Sequence, residues 1–378
     1  MRRVVVRLAA LLIALSILEV GVRVISAFVG GPRVLLYGTP WFRHHVPPKG
    51  QETGVEFHSV EAHGYTKYFP HEEKWANDSR GRHRVRINDH GLRGPDFADA
   101  KTPGVLRVLT LGASSTFGFE NRDDETYPYY LQHVLDRTAG RGRFEVINFA
   151  VPHADSDAIA AMFAAEGVPL APDVVTVYEG VNDSERAVFD ELYGTSWRAG
   201  GESHFLIVML VQKLADAVLP KPSRVTVTDA MIAAATRRYL GNLDAIAADC
   251  RKVGARMIVV TQQARSLMVE PTRLHGLRYE DEAHIVERAI RADPPDPQYN
   301  AMQLHLGAMF TVHSHLMLAI REWAATHGVP LVDGIGRLDG QRDLVLTWVH
   351  LAPSANKNLA RAIAAEIVRV TRVQPPTR

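Results

Sequence analysis

Cysteine is almost absent from this chain. Cys250 is the only one among 378 residues, which excludes internal disulfides and multi-cysteine zinc sites. In a helical pattern with Leu243 and Ile246 it reads as a small core residue. Charge of one sign is missing too: 43 Lys+Arg against 42 Asp+Glu leave no electrostatic footprint for nucleic acid, and no nucleic-acid partner is expected. Repeats and low-complexity segments are lacking. Histidine is plentiful, with 17 copies, but His44-His45 and His313-Ser314-His315 lack the partners that a zinc site needs, so no metal is expected. The length allows one large core with additions.

The amino terminus is where apolar residues concentrate. Residues 4–29 are long enough to cross a bilayer as a helix, which takes about 20 residues. Arg2, Arg3 and Arg7 precede the apolar core and predict a cytoplasmic start with the remainder exported. Glu19 and Arg23 interrupt the run at i,i+4 spacing, where they can pair on one helix face. A cleaved signal peptide is the rival reading, but no small-x-small site follows the apolar core, which favours an uncleaved anchor. Residues 1–30 are thus expected to be a transmembrane signal-anchor in an inner (cytoplasmic) membrane, single-pass, with the body facing the periplasm or outside. Residues 31–104, rich in Pro, Gly, His and aromatics, read as an irregular extension with short strands such as 84–88, ending in Lys-Thr-Pro-Gly turn chemistry.

From Leu106 the pattern becomes regular. Apolar strand-like runs at 106–111, 144–151, 173–178, 256–261 and 330–332 alternate with helical patterns at 125–138, 155–166, 228–253, 297–327 and 353–372. That alternation predicts an α/β fold in which a five-stranded parallel sheet is covered by helices on both faces. Two pieces, 184–228 and 262–298, exceed the minimal pattern and read as insertions that shape a binding pocket.

Residues suited to catalysis stand at the predicted strand ends. Ser114 follows the first strand in LGASSTFG, Asn182 follows the third in EGVND, and His350 precedes the last helix in VHLAPSANKNLA. Parallel strands bring their carboxyl ends to one edge, where ligands bind in open α/β sheets. A serine hydroxyl needs a base to take its proton, and an imidazole suits the task. The oxyanion formed on attack needs fixed donors, and the Ser114 backbone N–H and the Asn182 amide can supply two. The phosphate-loop lysine and the GxGxxG spacing of nucleotide-binding turns are both missing here.

These blocks resemble those of the SGNH/GDSL hydrolases. GASSTFG (112–118) is similar to the family's GDSxTxG, with Ser114 as nucleophile. NFAVPH (148–153) stands for the second block, N-x-G-x-x-G. GVND (180–183) resembles GxND and makes Asn182 an oxyanion donor, and VHLAPSANKNLA resembles the final DxxH block, with His350 as base. The resemblance covers residues 105–372 and implies a flavodoxin-like three-layer α/β/α fold with the catalytic groups at the carboxyl edge. The membrane segment and RINDHGLRG look like those of exported, anchored members, which act on acyl esters of envelope or secreted glycans.

Departures from the pattern shape the expectation. Ala113 and Ala150 are small replacements away from the chemistry. His153 stands where the second block's last glycine donates its N–H to the oxyanion; the backbone donor survives, but the ring reshapes the pocket. Thr347 occupies the position of the aspartate that orients the base. Asp343 is the carboxylate nearest in the loop, with Asp333 and Asp183 as others that could approach, Asp183 being more of a structural residue; without one of them the site is a Ser–His dyad. The expected function is a serine esterase, hydrolase or O-acyltransferase, without cofactor. It would act on acyl, foremost acetyl, esters of an extracytoplasmic glycan or a small ester. The alternative is a weakened or inactive member that binds or helps assemble an envelope glycan.

Overall fold

The alternation that begins at Leu106 closes into one parallel sheet. The computed structural model of the protein describes residues 2–32, 34–37, 57, 59–62, 64–78, 80–193, 205–208, 211, 225–294 and 296–373. Helix α1 (Arg2–Gly30) and a short turn of helix, α2 (Val34–Tyr37), come first. Two antiparallel hairpins follow, β1 (Ser59–Ala62) with β2 (Tyr65–Tyr68), and β3 (Glu73–Asp78) with β4 (Gly81–Arg86). The core then runs β5 (Leu106–Gly112), α3 (Ser114–Phe117), α4 (Tyr127–Ala139), β6 (Phe144–Ala150), α5 (Ser156–Met162), β7 (Val174–Tyr178) and α6 (Val181–Tyr193). It continues through α7 (Asp229–Val253), β8 (Arg256–Val260), α8 (Tyr279–Arg291), α9 (Ala301–His327), β9 (Leu331–Val332) and α10 (Pro353–Thr371).

All pairings in the main sheet are parallel, in the order β6-β5-β7-β8-β9. Alternate residues of each strand face opposite layers, as a strand requires. Leu109, Leu111, Val175 and Val177 join the core that includes Tyr239, Leu243 and Ile246 of α7 and Val312, Leu316 and Ile320 of α9. Val108, Val174, Ile258 and Val260 join the other, with Leu131 and Leu135 of α4 and Leu359, Ile363 and Ile367 of α10. The result is a three-layer α/β/α fold of flavodoxin-like strand order. The chain reverses direction across the sheet between β5 and β7, the switch point at which such sheets bind ligands.

The helices start where their sequences provide caps. Asp155, Thr228 and Asn300 each accept a hydrogen bond from the backbone N–H three residues on, at Ala158, Met231 and Gln303, a contact that stabilises a helix by about 1 kcal/mol. Within the 262–298 piece a long helix forms: α8 packs along α9, burying Val286 and Ile290. Of the 184–228 piece, the first part continues helix α6, which the sequence pattern did not announce. Residues 194–204, 209–210 and 212–224 of that piece lie outside the described residues.

The extension braces the sheet. Arg93, buried, donates to the carbonyl oxygens of Phe117 (3.2 Å), Gly118 (2.5 Å) and Asn121 (2.7 Å) and pairs with Asp123. The HGLRG turn is thereby tied to the turn that carries Ser114.

Candidate active site

Ser114 opens the four-residue helix α3 directly after β5, half-buried at the carboxyl edge. The strand reaches this turn through Gly112, where a Cβ would meet the Thr116 side chain and, at 2.7 Å, the carbonyl oxygen of Tyr178. Only a residue without a side chain lets β5, β7 and α3 approach so closely.

The first and last blocks interlock. Ser115 Oγ donates to the carbonyl of Val349 (3.4 Å) and Asn121 Nδ2 to that of Leu351 (3.2 Å), so both neighbours of His350 are held by the segment that carries Ser114. Asn356 of α10 fixes Asn121 in turn (2.6 Å). On the other side, Arg265 donates from Nε to the Thr347 carbonyl (2.7 Å) and from its other guanidinium nitrogen to that of Leu346 (2.8 Å), while its backbone N–H takes the Trp348 carbonyl. The Thr347 hydroxyl accepts from the backbone N–H groups of Val349 and His350. Thr347 thus folds the loop without reaching the imidazole.

His350 is 7% exposed and lies against Phe119, with ring centroids 5.7 Å apart. Neither ring nitrogen has a hydrogen-bond partner, so the bond to Ser114 is not formed in this state. Such bonds in free enzymes often tighten only with substrate bound. Burial, with the His153 ring nearby, pushes the His350 pKa down to about 4. The ring is therefore neutral at pH 7 and able to accept a proton.

The carboxylate facing His350 comes from an unexpected place. Glu120 Oε1 stands 3.8 Å from His350 Nδ1, and burial raises the pKa of Glu120. Asp343, the residue the sequence offers for this role, instead meets Nδ1 of His275 at 3.2 Å on the surface. The reason is local. Arg342 is drawn fully inside by Glu282 (2.5 Å) and the Ala264 carbonyl, and the next residue in that tight turn faces outward. Asp333 is occupied by Arg321, Thr261 and Gly336. Asp183 is buried, accepting from the Ser156 backbone and hydroxyl; desolvation and the nearby Asp155 charge push its pKa up to about 6.

Asn182 sits in the first turn of α6. Its amide donates to the Ala154 carbonyl (2.9 Å), leaving its second N–H for a ligand, and its backbone N–H donates to Glu179 Oε1 (2.8 Å). Burial pushes the pKa of Glu179 up to about 8. His153 adopts a left-handed backbone, φ 65°, which costs a non-glycine residue about 1–2 kcal/mol. That conformation explains why a glycine is usual at the position. Its ring reaches solvent, yet desolvation on the protein side lowers its pKa, and it acts on His350 across the same cleft.

Against the first turn of α6 lies a small cavity of about 10 Å³ lined by Val181, Ser184, Leu306, Met309, Phe310, His313, Arg265 and Trp348. His313 is fully buried, accepts or donates at Nδ1 with the Tyr279 hydroxyl (2.7 Å), and keeps Nε2 without a partner. Burial lowers its pKa to about 3.

The edge therefore gathers Ser114, His350, Asn182, His153 and Glu120, and excludes Asp343. Glu120 and Arg265 escape sequence reasoning because they are remote in sequence from His350. The available signal was an acid in FGFEN, just past the glycine that ends the Ser114 turn. The model of the GDSL-like lipase/acylhydrolase family matches residues 110–357, spanning all four blocks. The chain belongs to the GDSL-like lipase/acylhydrolase family. This GDSL-like protein thus comes from a family of ester hydrolases. Similar solved structures include a lipase/acylhydrolase from Enterococcus faecalis (17% identity, 72% of this chain and 100% of that one, TM-score 0.41). Another is a catalytic mutant of an acetylxylan esterase from Geobacillus stearothermophilus (14%, 71% and 96%, 0.41). A third is an acetyl xylan esterase, AlAXEase (15%, 69% and 100%, 0.41). No curated protein matches the chain.

Proposed function

We propose that this GDSL-like acylhydrolase is a membrane-anchored serine esterase that works through an acyl-enzyme. The observation that carries the proposal is the interlock of the Ser114 turn with the His350 loop, through Ser115–Val349 and Asn121–Leu351, at the edge where Asn182 also stands. Ser114 Oγ attacks the ester carbonyl as His350 takes its proton. Asn182, with the backbone N–H groups of Ser114 and His153, holds the oxyanion. His350 then protonates the departing alcohol. Water, or an acceptor hydroxyl in the case of O-acyl transfer, gives its proton to His350 and attacks the acyl carbon; the Ser114 Oγ–acyl bond then breaks as His350 returns that proton to Ser114 Oγ.

Glu120 is the positioning carboxylate of this scheme. At rest it and His350 do not form an ion pair: His350 protonates only near pH 4, where the raised pKa of Glu120 keeps that carboxyl neutral. During turnover His350 becomes imidazolium beside an ionised Glu120. The attraction then exists only along the reaction path, which is where an interaction accelerates chemistry.

The acyl group would be a short one, foremost acetyl. The alcohol portion would be an extracytoplasmic glycan or a small ester. Helix α1 would hold the protein in the inner membrane with the body outside: Ala10–Phe28 has mean hydropathy 2.1 and only 6% of it is buried. One observation favours a second reading, a glycan-binding protein without catalysis: the unmade Ser114–His350 bond, together with Thr347 in the usual aspartate position.

An aryl acetate assay with a fluorophosphonate probe tests the proposal. The wild-type chain should hydrolyse the ester and be labelled at Ser114, and Ser114→Ala should do neither. Equal rates for both, with no labelling, would leave the binding reading.

A further inference from the structure

The charges in the apolar helix have partners from another part of the chain. Glu19 lies at the midpoint of the Ala10–Phe28 stretch, roughly 14 Å of helix from either end. A bare carboxylate at that depth would cost on the order of 2.5–3.5 kcal/mol. Glu19 is not bare. It is buried, pairs with Arg23 Nε at 2.7 Å, and accepts the backbone N–H groups of Leu206 (3.0 Å) and Ile207 (2.9 Å). Arg23 in turn donates to the carbonyl oxygens of Leu35 (2.8 Å) and Leu36 (3.4 Å) in α2.

The two charges of α1 thus satisfy backbone groups at the start of one short helical turn and in another. Water does this for short helices on a soluble surface. In hydrocarbon no water is available, and every backbone polar group must find a protein partner. The outward side chains agree. Ile17, Ile25 and Phe28 of α1, Leu36 of α2, and Phe205 and Val211 are all more than half exposed. Leu206 instead turns inward, packing with Val34 and Val22 and with Phe69, the residue after β2. Residues 205–211 read FLIVMLV, without a charge.

We propose that residues 205–208, from the insertion that follows the Asn182 helix, form a second membrane-embedded element, joined to α1 through Glu19 and bathed by lipid acyl chains. The proposal rests on the reading of α1 as a membrane anchor. The occupant is a bilayer because both elements are apolar on their outer faces while their charges are neutralised within the protein. The consequence is a domain seated on the membrane rather than tethered above it, since β2 also carries Tyr68, packed on Phe117 beside the nucleophile's turn (6.0 Å between ring centroids).

The test uses the full chain in phosphatidylcholine–phosphatidylglycerol nanodiscs, with Cys250 replaced by Ala and a fluorophore on one introduced cysteine. The sites are Ile17→Cys in α1, Phe205→Cys in the insertion, and Leu318→Cys as an exposed reference on α9. Quenching by acyl-chain spin-labelled lipid is compared with quenching by aqueous iodide. Ile17 and Phe205 should be quenched severalfold more by lipid, and Leu318 by iodide. Iodide quenching at Phe205 with lipid quenching at Ile17 would overturn the proposal and leave the anchor intact. Iodide quenching at both would overturn the anchor reading and the proposal with it. Shielding of Phe205 from both quenchers would indicate a protein partner, such as a second copy, and also overturn it. Glu19→Ala should move Phe205 from lipid to iodide quenching while Ile17 stays; an unmoved Phe205 would refute Glu19 as the joint.

Discussion

Replacing Glu120 by Gln removes one charge and little volume, and it isolates what the carboxylate does for His350. Two unit charges about 4 Å apart attract by roughly 1 kcal/mol in water and roughly 4 kcal/mol at an effective dielectric constant of 20. The Glu120 side chain is 41% exposed and that of His350 9%, at 3.8 Å, so the pair lies between those limits. About 1.4–2.7 kcal/mol corresponds to a 10- to 100-fold loss in kcat. In serine proteases, by comparison, altering the triad aspartate costs about 10⁴. The smaller figure reflects the solvent around Glu120. KM should change little, because the ion pair is absent when substrate binds. The acid limb of the pH profile, set by His350 near pH 4, should hardly move, because Glu120 is already neutral there. Steady-state hydrolysis of an aryl acetate from pH 4 to 8 measures all three. A kcat within about twofold of wild type, with Ser114→Ala inactive, would refute the positioning role.

Arg265→Ala removes the two side-chain bonds that hold the Leu346 and Thr347 carbonyls, each worth about 1.5–3 kcal/mol as a bond to a charged group. Fluorophosphonate labelling of Ser114 should slow by about 10-fold or more, and Arg265→Lys should restore part of the rate. The raised pKa values of Glu179 (about 8) and Asp183 (about 6) mean that the folded protein holds protons which the unfolded chain releases. Their contribution to stability is therefore fully present below the ordinary carboxyl pKa and is lost as pH rises to about 8, by a few kcal/mol. Calorimetry should find this slope, and Glu179→Gln should flatten its upper part. Gly112→Ala drives a methyl into Thr116 and the Tyr178 carbonyl; overpacking of this kind costs about 1–3 kcal/mol, visible as a lowered Tm.

Sheet and layers were legible in the chain because they rest on local signals. Period-2 and period-3.6 apolar patterns, caps such as Asp155 and Thr228, and a glycine at the end of β5 are all readable within a few residues. The strands at 106–111 and 144–151 therefore match β5 and β6 to within a residue. Helix α6 was missed because its buried residues are interleaved with Asp183 and Ser184, polar groups that find partners inside. The 262–298 piece looked like a loop because the apolar stripe of α8 is narrow: its burial is completed by α9, a distant segment.

The sequence by itself determined the parallel sheet and that the blocks containing Ser114, Asn182 and His350 come to one edge, because parallel strands send their carboxyl ends the same way. Only the tertiary structure decided their partners. Glu120 rather than Asp343 faces His350, Arg265 clamps the histidine loop, and residues 205–208 cover Glu19. Each of these contacts joins segments far apart in the chain, and electrostatic and hydrogen-bond partners are chosen by distance in space, which no spacing along the chain encodes.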